Sequence, residues 1–141
     1  MTKKASKYCG CLFFSAGALA RNLTRVAEEE YKMTGLSPSH ALLLLTINEQ
    51  PGVQPKELAA EMQLTPSTVT RLLDKLEIKK FIVREGEGKT VKVRATAKGQ
   101  SLNPKIKEAW LRLYHRYTEA VGVSQGKKMT QWIYEAAQKL D

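Results

Sequence analysis

The residues of this chain that could do chemistry are few, and most lack the partners that chemistry needs. His40 and His115 stand alone, with no carboxylate, cysteine or second histidine at metal-ligand spacing. There is no glycine-rich phosphate loop and no Gly-x-Ser-x-Gly elbow. No metal, cofactor or catalytic group is therefore expected, and an enzyme is the class with least support. Cys9 and Cys11, one residue apart, provide no disulfide framework and fit a reducing cytoplasm. One stretch is different. Ser67-Thr68-Val69-Thr70-Arg71 sets short hydroxyls and an arginine just behind Pro66, where a helix would begin. Such groups can bond phosphates, and a guanidinium can fork onto guanine O6 and N7.

The rest of the chain must position that stretch. It has 141 residues with 23 Lys plus Arg against 14 Asp plus Glu, a formal charge of +9. That length fits one domain, and that charge favours a polyanionic partner. The longest mostly apolar run, Cys9 to Ala20, is well short of the ~20 residues that span a bilayer. Lys3, Lys4 and Lys7 before it and Ala18-Leu19-Ala20 at its end imitate a secretory signal. However, apolar residues continue at helical spacing through Leu23, Val26, Ala27 and Tyr31, which favours one helix.

Punctuation defines the elements. The first helix is expected from about Ser6 to Thr34, stopped by Gly35. Ser37-Pro38 starts a second, with Ala41, Leu42, Leu45 and Leu44 inward, ended by Pro51-Gly52. Gln54-Pro55 opens a short helix through Met62, with Leu58, Ala59 and Met62 inward. Thr65-Pro66 opens another to about Lys79. The period then changes from 3.6 to 2. Phe81 to Arg84 and Thr90 to Ala95 read as strands around a tip at Glu85-Gly86-Glu87-Gly88-Lys89. Val91, Val93 and Ala95 should face one way and Thr90, Lys92 and Arg94 the other. Thr96 can cap a long helix with a seam of Leu102, Ile106, Ala109, Trp110, Leu113, Tyr117 and Ala120. Gly122 breaks it, and Ser124 caps a last helix carrying Met129, Trp132, Ile133, Ala136 and Leu140.

Two helices joined through Gln63-Leu64-Thr65 make a helix-turn-helix. Its close crossing needs a small residue, which Ala59 supplies. With Leu64, Val69, Leu72, Leu73 and Leu76 inward, Ser67, Thr68, Thr70, Arg71, Asp74 and Lys75 must face out. A helical hairpin with a merely solvated polar face is the bland alternative. The hairpin that follows and the basic charge favour DNA. The expected contacts are Pro66, Ser67, Thr68, Thr70, Arg71 and Lys75 on the second helix, with Arg84, Lys89 and Lys92 on the hairpin.

The stretch Leu58-Ala59 with Leu64-Thr65-Pro66-Ser67-Thr68-Val69-Thr70-Arg71-Leu72-Leu73-Asp74-Lys75-Leu76-Glu77 resembles the MarR family of bacterial transcription regulators. The resemblance covers nearly the whole chain. It implies a mainly α fold with a small β-hairpin, a winged helix-turn-helix between N- and C-terminal dimerisation helices. It further implies a single domain over 1–141, with the winged helix at about 37–100 and dimerisation helices at about 6–34 and 101–141. Where the family wing carries Asp-x-Arg, this chain has Glu87-Gly88-Lys89, and Lys lacks the planar fork of Arg. Ala95-Thr96 stands where Leu-Thr is common.

The resemblance also implies a cytoplasmic homodimer, probing a pseudo-palindromic DNA operator and released as a repressor by a small aromatic or anionic ligand. Tyr31, His40, Trp110 and Tyr114 are the candidates for that ligand's site, with Tyr8 and Tyr117 beside them. Core packing is the commoner reason for such aromatic spacing. A branch of the family senses peroxides through a cysteine near the start of the first helix. Cys11, with Cys9, resembles it, although Ser15 stands where a partner tyrosine is expected. An oxidant-sensing regulator and a winged-helix module for protein or RNA are thus the alternatives. A two-fold dimer predicts that duplexes selected from a random pool carry half-sites ~10–11 bp apart, centre to centre. Recovery of one asymmetric half-site would contradict the dimer.

Overall fold

The computed structural model describes residues 3–141; Met1 and Thr2, the start of the expected 1–141 domain, lie outside the described residues. The elements are α1 (Leu12–Tyr31), α2 (Pro38–Glu49), α3 (Pro55–Met62), α4 (Pro66–Ile78), β1 (Ile82–Glu85), β2 (Lys92–Ala95), α5 (Ala97–Ser101), α6 (Asn103–Val121) and α7 (Val123–Lys139). The expected mainly helical fold with one small hairpin is the fold observed. The chain forms two compact units: the ends, up to Glu29 and from Arg112, and the middle, Glu30–Leu111.

The middle unit is built around α2. Ala41, Leu43, Leu44 and Ile47 are completely buried, because α3, α4, α5 and β2 all pack on this helix. Leu42 and Leu45, expected inward, are only half-buried, and Leu43 and Ile47 take their place. A helix that is apolar on nearly every side shows no phase from which its most buried stripe could be chosen. Onto α2 pack Leu58 and Ala59 from α3, and Val69, Leu73 and Leu76 from α4, all buried; Met62 is half-buried.

The helix starts use the expected devices. Pro38, Pro55 and Pro66 each occupy the first turn, where a missing N–H costs nothing. Ser37 Oγ accepts from the His40 N–H, and Thr65 Oγ1 from the Thr68 N–H. At α3 the Glu57 carboxylate reaches back to accept from the Gln54 N–H at 3.1 Å.

Several boundaries differ from expectation. Residues 7–10 form turns, and α1 begins only at Leu12, then runs unbroken through Ala20 and Arg21. A 3-10 turn, Lys32–Thr34, separates it from Gly35, whose φ of 73° is the left-handed stop. The helix expected to start at Thr96 is two helices. Thr96 caps only α5, its Oγ1 accepting from the Gly99 N–H at 3.2 Å. Pro104 has no N–H to give to the turn before it, so the ladder restarts in α6. There Ile106 and Ala109 are buried, while Trp110, expected in the seam, is 53% exposed. At α7 the N-cap is Gly122, with φ 99°, and Ser124 lies inside the helix.

The hairpin pairs antiparallel in the register Ile82↔Ala95, Val83↔Arg94, Arg84↔Val93 and Glu85↔Lys92. Val93 is buried and Val91 and Ala95 half-buried, while Lys92 and Arg94 are exposed, as the alternation requires. β2 starts at Lys92 rather than Thr90, because Gly88–Thr90 closes a 3-10 turn. The loop before α3 also joins the sheet through a bridge unseen in the sequence. The Val93 N–H donates to Val53 O, and the Gly52 N–H to Val93 O, each at 2.9 Å.

Gly99 sits hard against the end of β1. A Cβ there would strike the Phe81 carbonyl, whose oxygen already accepts the Thr96 N–H at 2.9 Å, and would lie 3.3 Å from Ala95 Cβ. Gly99→Ala should therefore lower stability by about 1–3 kcal/mol, read as a reduced denaturant midpoint at constant slope. An unchanged midpoint would show that the base of the hairpin yields.

Candidate nucleic-acid interface

With Val69, Leu73 and Leu76 turned into the core, α4 presents Pro66, Ser67, Thr70, Arg71, Asp74 and Lys75 as exposed residues and Thr68 as half-exposed. The turn before it is tight. Gln63 adopts the left-handed conformation, φ 53°, and the Leu64 N–H donates to Ala59 O at 3.0 Å. This fixes the angle at which α4 leaves α3.

The hydroxyls at the start of α4 form a connected set. Thr65 Oγ1 lies 3.2 Å from Ser67 Oγ and 2.9 Å from Thr68 Oγ1. The Thr70 hydroxyl donates to Pro66 O at 3.0 Å. Arg71 Nη2 donates to Thr68 Oγ1 at 3.4 Å, so the guanidinium rests over the first turns of the helix, on its exposed face. Cations and donors around a helix N-terminus suit a phosphate.

The wing carries Lys89 and Lys92, both exposed. Its tip is one ordered turn: the Thr90 hydroxyl donates to Glu87 O at 2.7 Å and accepts from the Glu87 N–H at 3.4 Å. Lys89 thus hangs from a fixed backbone. Gly86 is required beneath it, since at φ 96° a Cβ would come 2.8 Å from Thr90 O.

Arg84 differs from the other predicted contacts. It is on the inward side of β1, its side chain only 25% exposed. Nη2 bonds Asp74 Oδ1 at 2.7 Å and Glu77 Oε1 at 3.0 Å, and Nε bonds Glu77 Oε2 at 3.3 Å. The Arg84 N–H also donates to Glu77 Oε2 at 3.2 Å. These bonds to Arg84 hold the Glu77 carboxyl below the ordinary carboxylate range, against the opposing effect of burial and of Asp74.

The remaining candidates are dispersed. Tyr31 is a core residue of the middle unit, its pKa raised by burial. His40 is half-buried, and its pKa is lowered by burial and by Lys75 and Lys79. Trp110 lines a groove of about 520 Å³ with Leu42, Leu45 and Met62, rimmed by Glu49, Glu61 and Lys107. Tyr114 and Tyr117 line another, about 400 Å³, with Tyr134 and Lys127. Cys9 and Cys11 are both exposed free thiols. Among the described residues no group of three or more His, Cys, Asp or Glu could hold a metal ion.

Comparison with known proteins places this arrangement. A sequence profile described as MarR family matches residues 34–90, which run from the end of the 3-10 turn after α1 to the turn at the wing tip. Over those residues the chain matches the MarR family. An uncharacterised HTH-type transcriptional regulator, YybA, of Bacillus subtilis is 31% identical over 94 residues, 64% of this chain and 63% of that protein. Among solved structures, the transcriptional repressor CouR bound to p-coumaroyl-CoA superposes with a TM-score of 0.84 at 19% identity, covering 96% of this chain and 98% of that one. The S. aureus MepR–DNA complex gives 0.77 at 16%, covering 91% and 97%. At those identities the likeness establishes the fold. MarR-family regulators are transcription factors, not enzymes.

In this winged helix the Glu77–Arg84 pair should show in acid stability. A carboxyl with its folded pKa depressed contributes stability that is fully present above its unfolded value, 4.5. That contribution is lost as the pH falls through the folded value. Glu77→Gln should flatten the acid limb of thermal stability below that pH while changing its shape little near neutrality. An identical acid limb in the variant would show that the pair is not formed in solution.

Proposed function

We propose that this protein is a homodimeric, sequence-specific transcription repressor of the cytoplasm that binds double-stranded DNA and is released by a small aromatic or anionic ligand. The observation that carries the reading is the exposed face of α4. Its hydroxyls and Arg71 stand at a helix start, unclaimed by the core, with Lys89 and Lys92 on an ordered wing beside them. An α-helix so furnished fits a major groove, and the wing lysines fit the flanking phosphates. The net charge of +9 steers the approach to DNA. The MepR relative was solved on DNA, and it shares this fold.

The dimer is supported by the apolar side chains of the terminal unit. Leu12, Phe13, Trp132, Ile133 and Leu140 are between 51% and 89% exposed in the single chain. Side chains of that size on both terminal helices call for a covering surface, and a second copy supplies one with two-fold symmetry. In this reading about 37–100 reads DNA while about 6–34 and 101–141 join the subunits. For the effector, the Tyr114–Tyr117–Tyr134 groove is the better fit. Three aromatic rings and the Lys127 ammonium offer stacking and one positive charge, and about 400 Å³ is within the range of small-molecule sites. The ligand in the CouR structure, p-coumaroyl-CoA, carries an aromatic ring and negative charge, the complements of these.

Duplexes selected from a random pool supply the test. Arg71→Ala should weaken the selected duplex by about 1–3 kcal/mol without unfolding the protein. Lys89→Ala should weaken selected and unrelated duplexes alike and lower the log–log salt slope by about one per wing. If a folded Arg71→Ala binds as tightly as the wild type, the outward face of α4 is not the reading surface. If Lys89→Ala abolishes discrimination with an unchanged slope, Lys89 reads bases.

A further inference from the structure

Arg84 lies between the two surfaces assigned to DNA and is committed to neither. Opposite residues of an antiparallel pair share a face, so the register Arg84↔Val93 puts Arg84 on the side of buried Val93. An arginine on that face must find acceptors, and α4 provides two carboxylates one turn apart. Asp74 and Glu77 together receive three bonds from the guanidinium, at 2.7, 3.0 and 3.3 Å. A fourth bond, from the Arg84 backbone N–H to Glu77, ties the strand itself to the helix. Lower down, the base of the hairpin is held separately. The Lys98 ammonium donates to Lys79 O at 2.9 Å, and the Thr96 hydroxyl to Lys80 O at 2.7 Å. The Arg84 clamp is therefore the polar tie that reaches up the strand toward the tip, on the way to Lys89.

We infer that Arg84 is a positioning residue for DNA reading: clamped by Asp74 and Glu77, it sets the distance and angle between the recognition helix α4 and the wing. This rests on the proposed DNA-binding function and deepens it. Two rigid bodies reading one duplex must hold their spacing, since each contact is lost when the other is satisfied at the wrong distance. The fork geometry is needed, because one planar guanidinium holds two carboxylates in fixed directions, and an ammonium would act as a point charge.

Asp74 is exposed and lies on the face turned to DNA. By charge alone, neutralising Asp74 and Glu77 would tighten binding to any duplex. If they act as the clamp, neutralising them loosens the wing and weakens the selected duplex.

The test measures affinity for the selected duplex and for an unrelated one, at two salt concentrations. It compares Arg84→Met, Arg84→Lys, the double variant Asp74→Asn/Glu77→Gln and the triple combination, each shown to be folded by its thermal unfolding. The expected result for Arg84→Met is about a tenfold loss on the selected duplex, little change on the unrelated one and an unchanged salt slope. The double variant should lose about as much, the triple no more than either, and Arg84→Lys should rescue little. A salt slope reduced by about one, with both duplexes weakened equally and Arg84→Lys restoring them, would make Arg84 a phosphate contact and overturn the inference. Tighter binding of the selected duplex by the double variant would overturn it too. Should the wild-type protein select no duplex, the DNA reading itself fails. The clamp is then judged in the DNA-free protein by amide hydrogen exchange across residues 85–90. Faster exchange in Arg84→Met, with α4 still protected, upholds the clamp, and unchanged exchange refutes it.

Discussion

The packing of α4 against α2 constrains everything else in the winged helix. Val69, Leu73 and Leu76 are 1% exposed or less, and each such side chain contributes on the order of 1.5–3 kcal/mol by leaving water. Their positions three to four residues apart fix the rotation of α4 about its axis. Once that rotation is fixed, Ser67, Thr70, Arg71, Asp74 and Lys75 have nowhere to go but out. The polar face is the remainder left by the core, and it is already arranged before any ligand arrives. The left-handed turn at Gln63 and the small Ala59 serve the same end, since they let α4 lie close enough to α3 for the three apolar residues to reach α2.

Much of this was legible in the sequence because it depends on local chemistry. Hydroxyl-proline pairs mark helix starts by capping geometry, and the change of period after Lys80 marks the hairpin. The failures have a common cause, which is dependence on distant partners. In α2 the buried stripe is set by neighbours on several sides, so spacing alone could not tell Leu43 from Leu42. The Val53–Val93 bridge joins the loop before α3 to β2, far apart in the chain, and that loop does not read as a strand. Pro104, by contrast, was a local signal that could have been used: an interior proline ends a helix, and here it divides α5 from α6.

The candidate site shows the same division. Arg71 and its neighbours follow from the apolar period of one helix, and the structure leaves them exposed. Sequence position groups Arg84 with Lys89 and Lys92, since all three are cations on the hairpin. Strand alternation separates them, since Ile82 and Arg84 share the inward face and Val83 and Glu85 the outward one. Asp74 and Glu77, three apart on one face of α4, complete the signal. A cation on a strand's inner face opposite an i, i+3 acidic pair is the pattern of an internal tie. Composition counts such a residue toward the charge offered to DNA, although its charge is already matched within the protein.

That matching changes how the formal charge of +9 should be understood. Arg84 is spent on Asp74 and Glu77, Arg94 lies 3.8 Å from Glu85, and Arg25 and Arg116 both meet Glu29. Among the described residues Arg71, Lys75, Lys89 and Lys92 form no ion pair and stand at the two places a duplex would touch, while Lys56, Lys79, Lys80 and Lys98 are unpaired elsewhere on the winged helix. Exposed pairs contribute little to stability, so the pairing of Arg94 with Glu85 matters more for where positive charge is left uncancelled. At Arg84 the situation differs, because its partners sit on another element and its side chain is largely covered. There the same kind of bond acts on geometry. It joins a four-residue strand to a thirteen-residue helix, and it gives a short wing a fixed direction that its two backbone strands alone would not enforce.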